Sequence, residues 1–194
     1  MRRPRTVHPG RWCAGLLLCT VLANPAWGGP SPHEPTRYAV AASVGTTYDP
    51  VGDIEFVLGS AVGLFDYDSV WPHRAPAPLR FKVEVTAGAT TAPTLRSLCS
   101  ANIFALYYLE RFSTGGIRPY AEAGVGLIYT DFRVEGQGLR FNFNPQAGVG
   151  AEFGSREEHT WYAAVRLHHI SNGDLHHENR GVNGVLFTVG RYFP

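Results

Sequence analysis

The feature that most constrains this fold is a strict two-residue alternation running through the second half of the chain. Over Arg140–Phe153 one parity reads Arg140, Asn142, Asn144, Gln146, Gly148, Gly150, Glu152. The other reads Phe141, Phe143, Pro145, Ala147, Val149, Ala151, Phe153. Pro119–Phe132 repeats the pattern, with Tyr120, Glu122, Gly124, Gly126, Ile128, Thr130 against Ala121, Ala123, Val125, Leu127, Tyr129. Extended chain sends successive side chains to opposite faces, so both segments are strands. Two architectures accept them. A soluble sandwich turns the apolar parity inward, whereas a membrane barrel turns it out to lipid and fills a narrow lumen with glycine and paired charges. Alternation alone fits both. Tyr129, Phe141, Phe153 and Trp161 stand at the ends of apolar faces like interfacial girdles and favour the barrel, as does the terminal Tyr192-Phe193.

The same template predicts strands over Thr36–Tyr48, Asp53–Asp66, Leu79–Thr90, Leu98–Phe112, Arg118–Phe132, Leu139–Phe153, Thr160–Ser171 and Gly184–Phe193. The expected fold is all-β, an eight-stranded antiparallel up-and-down transmembrane β-barrel. Eight strands make a barrel whose interior side chains fill the lumen, which argues against a transport channel. Glu122, Arg140, Glu152 and Arg166 are lumen candidates and need partners, because an unpaired buried charge is costly. Pro145 conflicts with an internal strand and predicts a bulge. Tyr67–Pro78 is long for a periplasmic turn.

Composition agrees with export to an outer membrane. Arg2, Arg3, Arg5 and Arg11 precede an apolar core from Trp12 to about Ala23, and Ala26-Trp27-Gly28 supplies a small-residue cleavage pattern. Residues 1–28 are therefore expected to be a signal peptide and 29–194 one barrel domain. Without the signal arginines the mature part carries about three net negative charges, so no basic patch invites nucleic acid. Cys13 and Cys19 fall in the signal, which leaves Cys99 and no intramolecular disulfide. No later segment offers about 20 consecutive apolar residues, as a helical span requires.

With both termini periplasmic, the seventh strand ascends and ends at outer-leaflet level, where lipopolysaccharide resides. Its end reads His169-Ile170-Ser171-Asn172-Gly173. His169 and Ser171 share a face at i and i+2, so an imidazole and a hydroxyl can meet as general base and nucleophile. That face also carries Trp161, Ala163, Val165 and Leu167, so in a barrel the pair faces lipid.

At these residues the chain resembles the outer-membrane lipid A 3-O-deacylases, the acyloxyacyl hydrolase family. The strongest match is His169-Ile170-Ser171-Asn172-Gly173 together with Asn179-Arg180-Gly181-Val182-Asn183 and a closing strand, with weaker agreement over Arg118–Phe153. The resemblance implies a carboxylic ester hydrolase that acts on lipid A in the outer leaflet. It assigns His169 as general base and Ser171 as nucleophile, and places the oxyanion-stabilising groups at Asn172, Gly173 and Asn179. One position departs from the family pattern. The glutamate expected 14 positions after the histidine falls on Asn183. An asparagine carbonyl can accept the imidazole N–H, as in Cys-His-Asn sites, but lacks the charge that stabilises imidazolium. Asn183 shares its face with Val185, Phe187 and Val189, while Glu178 and Asp174 are loop carboxylates that offer alternatives, and the histidine without an orienting partner is a third.

Rival readings use the same residues. Ser-Asn-Gly-Asp is an ordinary turn sequence, and a non-catalytic structural or adhesive barrel would need nothing more of it. His168, His169, Asp174, His176, His177 and Glu178 are metal-compatible types without any ligand spacing, and no carboxylate cluster marks a calcium-assisted phospholipase. The sequence indicates neither an organic cofactor nor a catalytic metal.

Overall fold

The computed structural model describes residues 36–154 and 160–193; the expected signal peptide lies outside them. Nine strand segments form the sheet: β1 (Arg37–Asp49), β2 (Glu55–Asp66), β3 (Leu79–Ala92), β4 (Arg96–Tyr108), β5 (Ile117–Thr130), β6 (Phe141–Phe143), β7 (Gln146–Phe153), β8 (Thr160–Ile170) and β9 (Val182–Phe193). Each pairs antiparallel with its neighbours, and the β1–β9 and β4–β5 pairings close the sheet on itself. β6 and β7 are two parts of one stave, so the barrel has eight staves, as the alternation predicts. Closure satisfies every edge, which is what a sheet surrounded by hydrocarbon requires.

The break at Asn144-Pro145 is not the expected bulge. Leu127 faces Phe143 and Gly124 faces Gln146, while Ser171 bridges Phe143 and His168 faces Gln146, so the register is the same on both sides of the proline. Proline has no N–H, and the ladder lapses for one bond without gaining a residue. A second correction concerns the fourth strand, which stops at Tyr108; Glu110–Phe112 form a single 3₁₀ turn. The long Tyr67–Pro78 connection starts with the one-turn helix α1 (Tyr67–Val70), and Trp71 from it stacks edge-on against Phe81 of β3.

The outer surface bears Val40, Val44, Val85, Ile103, Val149, Val165 and Phe187, all exposed, while the alternate parity is buried in the lumen. Lumen charge is paired. Arg166 donates to both oxygens of Glu84 at 2.7 and 3.0 Å and to Glu122 at 2.5 Å, and Lys82 caps Glu122 from the other side. Glu152 accepts from Arg37 and Tyr108. The lumen expectation therefore holds for Glu122, Glu152 and Arg166 and fails for Arg140. Arg140 lies exposed at the rim, paired with Asp131, because the strand begins only at Phe141 and the two-residue parity has no force before it. Glycine fits the crowding: a Cβ at Gly148 would lie 2.8 Å from Arg166 Cγ. Cys99 is exposed and unpaired.

Candidate active site

The predicted residues gather at the barrel end opposite the start of β1 and the end of β9, where β8 runs into the Ser171–Gly181 loop. In β8, Tyr162, Ala164, Arg166 and His168 are buried, while Trp161, Val165 and Leu167 are exposed and His169 is half-buried on their face. The two adjacent histidines thus point apart. His168 enters the lumen and meets Phe56 edge-on with centroids 5.4 Å apart. His169 faces outward and cannot share a ligand with it, and no group of three or more His, Cys, Asp or Glu able to hold a metal occurs among the described residues.

His169 lies directly opposite Asn183 across the β8–β9 ladder. Its Nδ1 stands 2.6 Å from Asn183 Oδ1. A carbonyl oxygen accepts only, so Nδ1 carries the proton and donates, leaving the Nε2 lone pair as a base. Asn183 is thus the side chain that meets the histidine. Glu178 is exposed; its backbone N–H bonds His176 and its carbonyl receives Asn172 Nδ2, while the Asp174 carboxylate receives Asn179 Nδ2. Gly181 makes room for the ring: a Cβ there would lie 2.5 Å from His169 Cε1.

Ser171 continues the outward parity just past β8. Its backbone N–H and C=O pair with Phe143 at 3.2 and 2.8 Å, and the His169 N–H donates to Pro145 O at 3.0 Å. These bonds to β6 and to the proline hold the strand end straight, so both side chains stay on one face. Ser171 Oγ makes no hydrogen bond to His169 among the described residues; such bonds are often long before substrate arrives and tighten in the complex.

The expected oxyanion groups have separate fates. The Asn172 N–H donates to Asn179 Oδ1 at 2.8 Å, and Asn172 Nδ2, buried, donates to Glu178 O at 2.8 Å, so Asn172 is spent on shaping the loop. Asn179 gives one amide hydrogen to Asp174 at 2.8 Å and keeps a second. Gly173 is exposed in a left-handed conformation with φ of 62°, and its N–H has no acceptor among the described residues. Beside His169 a groove of about 250 Å³ opens to the outside, lined by Tyr48, Pro145, Ala147, Leu167 and Asn183.

Sequence reasoning missed the next layer. Asn183 Nδ2 donates to Asp49 Oδ2 at 2.8 Å, and Arg180 donates to the other Asp49 oxygen at 2.9 Å. Asp49 pairs with Asn183 across β1–β9, but only because the register shifts between Thr47 and Asp49. No sequence signal announces that shift.

A closed eight-stave sheet with an apolar exterior, a charge-paired lumen and girdling aromatics is an outer-membrane β-barrel, here with a polar row on its lipid-facing surface. Residues 62–191 match the lipid A 3-O-deacylase (PagL) family, and the chain belongs to it. Comparison with curated proteins gives no match. Among solved structures, Neisserial surface protein A superposes with a TM-score of 0.61 at 15% identity, over 81% of this chain and 95% of that one. The outer membrane enzyme PagL superposes with a TM-score of 0.54 at 23% identity, over 80% of this chain and 99% of that one. At such identities these likenesses show the barrel fold alone.

Proposed function

We propose that this protein is an outer-membrane carboxylic ester hydrolase that removes an acyl chain from lipid A, at the 3-O position, using Ser171 as nucleophile and His169 as general base. The observation that carries the reading is the 2.6 Å contact between His169 Nδ1 and Asn183 Oδ1 on the lipid-facing surface. That contact fixes the tautomer that leaves Nε2 able to accept a proton, which a general base requires.

His169 Nε2 takes the Ser171 proton as Oγ attacks the ester carbonyl. The tetrahedral intermediate then collapses with cleavage of the acyl C–O bond, and the imidazolium gives that proton to the departing sugar oxygen. A water molecule, deprotonated by the same nitrogen, then attacks the acyl-serine, the acyl C–Oγ bond breaks to release the fatty acid, and the imidazolium returns the proton to Ser171 Oγ. Developing negative charge on the carbonyl oxygen needs donors already aimed at it, and each is worth about 2.7–4 kcal/mol in other hydrolases. The Gly173 N–H and the second Asn179 amide hydrogen are the groups left to supply them. Asn183 orients the ring and shares no charge with it.

The acyl chain need not leave the membrane to react. The groove beside His169 continues onto the apolar face of β8, where Leu167, Val165 and Ala163 stand in a line with Phe187 of the adjacent strand. Apolar contact contributes about 0.8 kcal/mol per methylene, so a shallow surface track suffices for binding. Asn183, which stands where the family pattern has a glutamate and brings no charge to the imidazolium, favours the second reading, a non-catalytic barrel. The two readings part in one experiment. Mass spectrometry of lipid A from outer membranes carrying the intact chain should show loss of one hydroxyacyl mass, and Ser171→Ala at equal folded abundance should leave lipid A whole. Unchanged lipid A in both would leave the structural barrel standing.

A further inference from the structure

We propose that Asp49 is a positioning residue that acts on His169 through Asn183, selecting the one amide orientation that leaves the histidine a base; this deepens the hydrolase reading and rests on it. An asparagine side chain has an acceptor end and a donor end, and a half-turn about its last bond exchanges them. With Oδ1 toward the ring, His169 holds its proton on Nδ1 and Nε2 is free to accept one. With Nδ2 toward the ring, Nδ1 becomes the acceptor, the proton moves to Nε2, and the base toward Ser171 is lost. Nothing intrinsic to Asn183 chooses between these states.

Asp49 chooses. A carboxylate only accepts, so Asp49 Oδ2, 2.8 Å from Asn183 Nδ2, holds the donor end of the amide away from the imidazole. The reversed amide would bring two acceptor oxygens together there and two donors together at the ring. Arg180 holds the second Asp49 oxygen at 2.9 Å and fixes the carboxylate in turn. The backbone is shaped for this contact. Thr47 pairs with Gly184 and its side chain is buried in the lumen, so strict alternation would send Asp49 inward as well. The register shift inserts Tyr48 as an extra residue and turns Asp49 onto the outer face, opposite Asn183. Bulges near active sites re-aim side chains in this way. The result is a row of three side chains, Asp49, Asn183 and His169, on the adjacent strands β1, β9 and β8.

The test uses the full-length barrel in lipid A-containing vesicles. Asp49→Leu, which cannot accept, should lower kcat by about 10-fold to 100-fold with KM little changed, on the scale typical of hydrogen-bond partners one step behind a reacting group. Asp49→Asn, whose carbonyl can still accept from Asn183, should recover most of the rate. In an Asn183→Asp background both ends of the side chain accept and no orientation needs selecting, while the Asp49 carboxylate becomes a like charge beside it, so Asp49→Leu should cost nothing or raise the rate. Equal losses in both backgrounds, or full activity of Asp49→Leu, would overturn the proposal. Imidazole ¹⁵N NMR reads the same idea without turnover: the Nδ1–H tautomer of His169 should give way to a mixture in Asp49→Leu. If the wild-type chain leaves lipid A intact, the hydrolase reading falls and the tautomer alone decides. An unchanged Nδ1–H form in Asp49→Leu then refutes the role of Asp49, and a mixed form upholds it.

Discussion

Gly181→Ala is the substitution whose effect the geometry of this site defines most sharply. A Cβ at position 181 would stand 2.5 Å from His169 Cε1, 3.2 Å from Nε2 and 3.4 Å from Nδ1. Ordinary carbon–carbon contact begins near 3.5 Å, so the ring must retreat by about 1 Å. The ring ends a side chain that can swing, so the movement costs the fold little. It costs the site much more, because the Nδ1 to Asn183 Oδ1 contact is only 2.6 Å and a retreat of that size carries it past hydrogen-bond range. A misplacement of about 1 Å at a reacting group lowers rates by about 100-fold. The expectation is therefore a loss of about 100-fold in kcat on lipid A in vesicles, with the heat-induced gel shift and the thermal midpoint of the barrel unchanged. Activity within about threefold of wild type in a folded Gly181→Ala barrel would refute the argument, since the imidazole would then not need the place the structure gives it.

Two further outcomes follow from the lumen and the groove. Arg166→Met strands the Glu84 and Glu122 carboxylates with Lys82 alone and should destabilise the barrel by about 3–5 kcal/mol in denaturant unfolding followed by tryptophan fluorescence. Adding Glu122→Gln restores charge balance and should recover most of that loss; losses that simply add would show that the four groups do not act as a unit. Ala147→Phe fills the groove beside His169 and should lower kcat/KM for long acyl chains by about tenfold relative to short ones, the equivalent of about two methylenes of lost contact at roughly 0.8 kcal/mol each. Equal effects on both chain lengths, measured with synthetic esters, would place the acyl chain elsewhere.

The sequence carried most of the barrel because strand periodicity is a local property. Eight staves, the outward placement of His169 and Asn183, and the lumen placement of Glu122, Glu152 and Arg166 all follow from counting by two within unbroken strands. Where counting by two fails, the reading failed with it. Arg140 sits one residue before its strand begins and escapes to the rim. Pro145 was expected to add a residue to the stave and instead removes one bond from it. The inserted Tyr48 reverses the parity of Asp49, which lies one residue past the predicted strand, so nothing local ties the aspartate to Asn183. Gly181 was equally silent, since its meaning lies in an imidazole 12 positions earlier that reaches it only through the fold. The family resemblance places oxyanion donors at Asn172 and Asn179; their bonds to each other and to the loop emerge only when the Ser171–Gly181 loop closes.

The polar row crosses the seam where β1, the first strand of the sheet, meets β9, the last. His169 and Asn183 come together when the β8–β9 hairpin forms, and Asp49 joins them only when β1 and β9 pair to close the cylinder. An unfolded or partly inserted polypeptide carries the same residues without the arrangement. On the hydrolase reading, closure of the wall is therefore the step that assembles the row and arms the site.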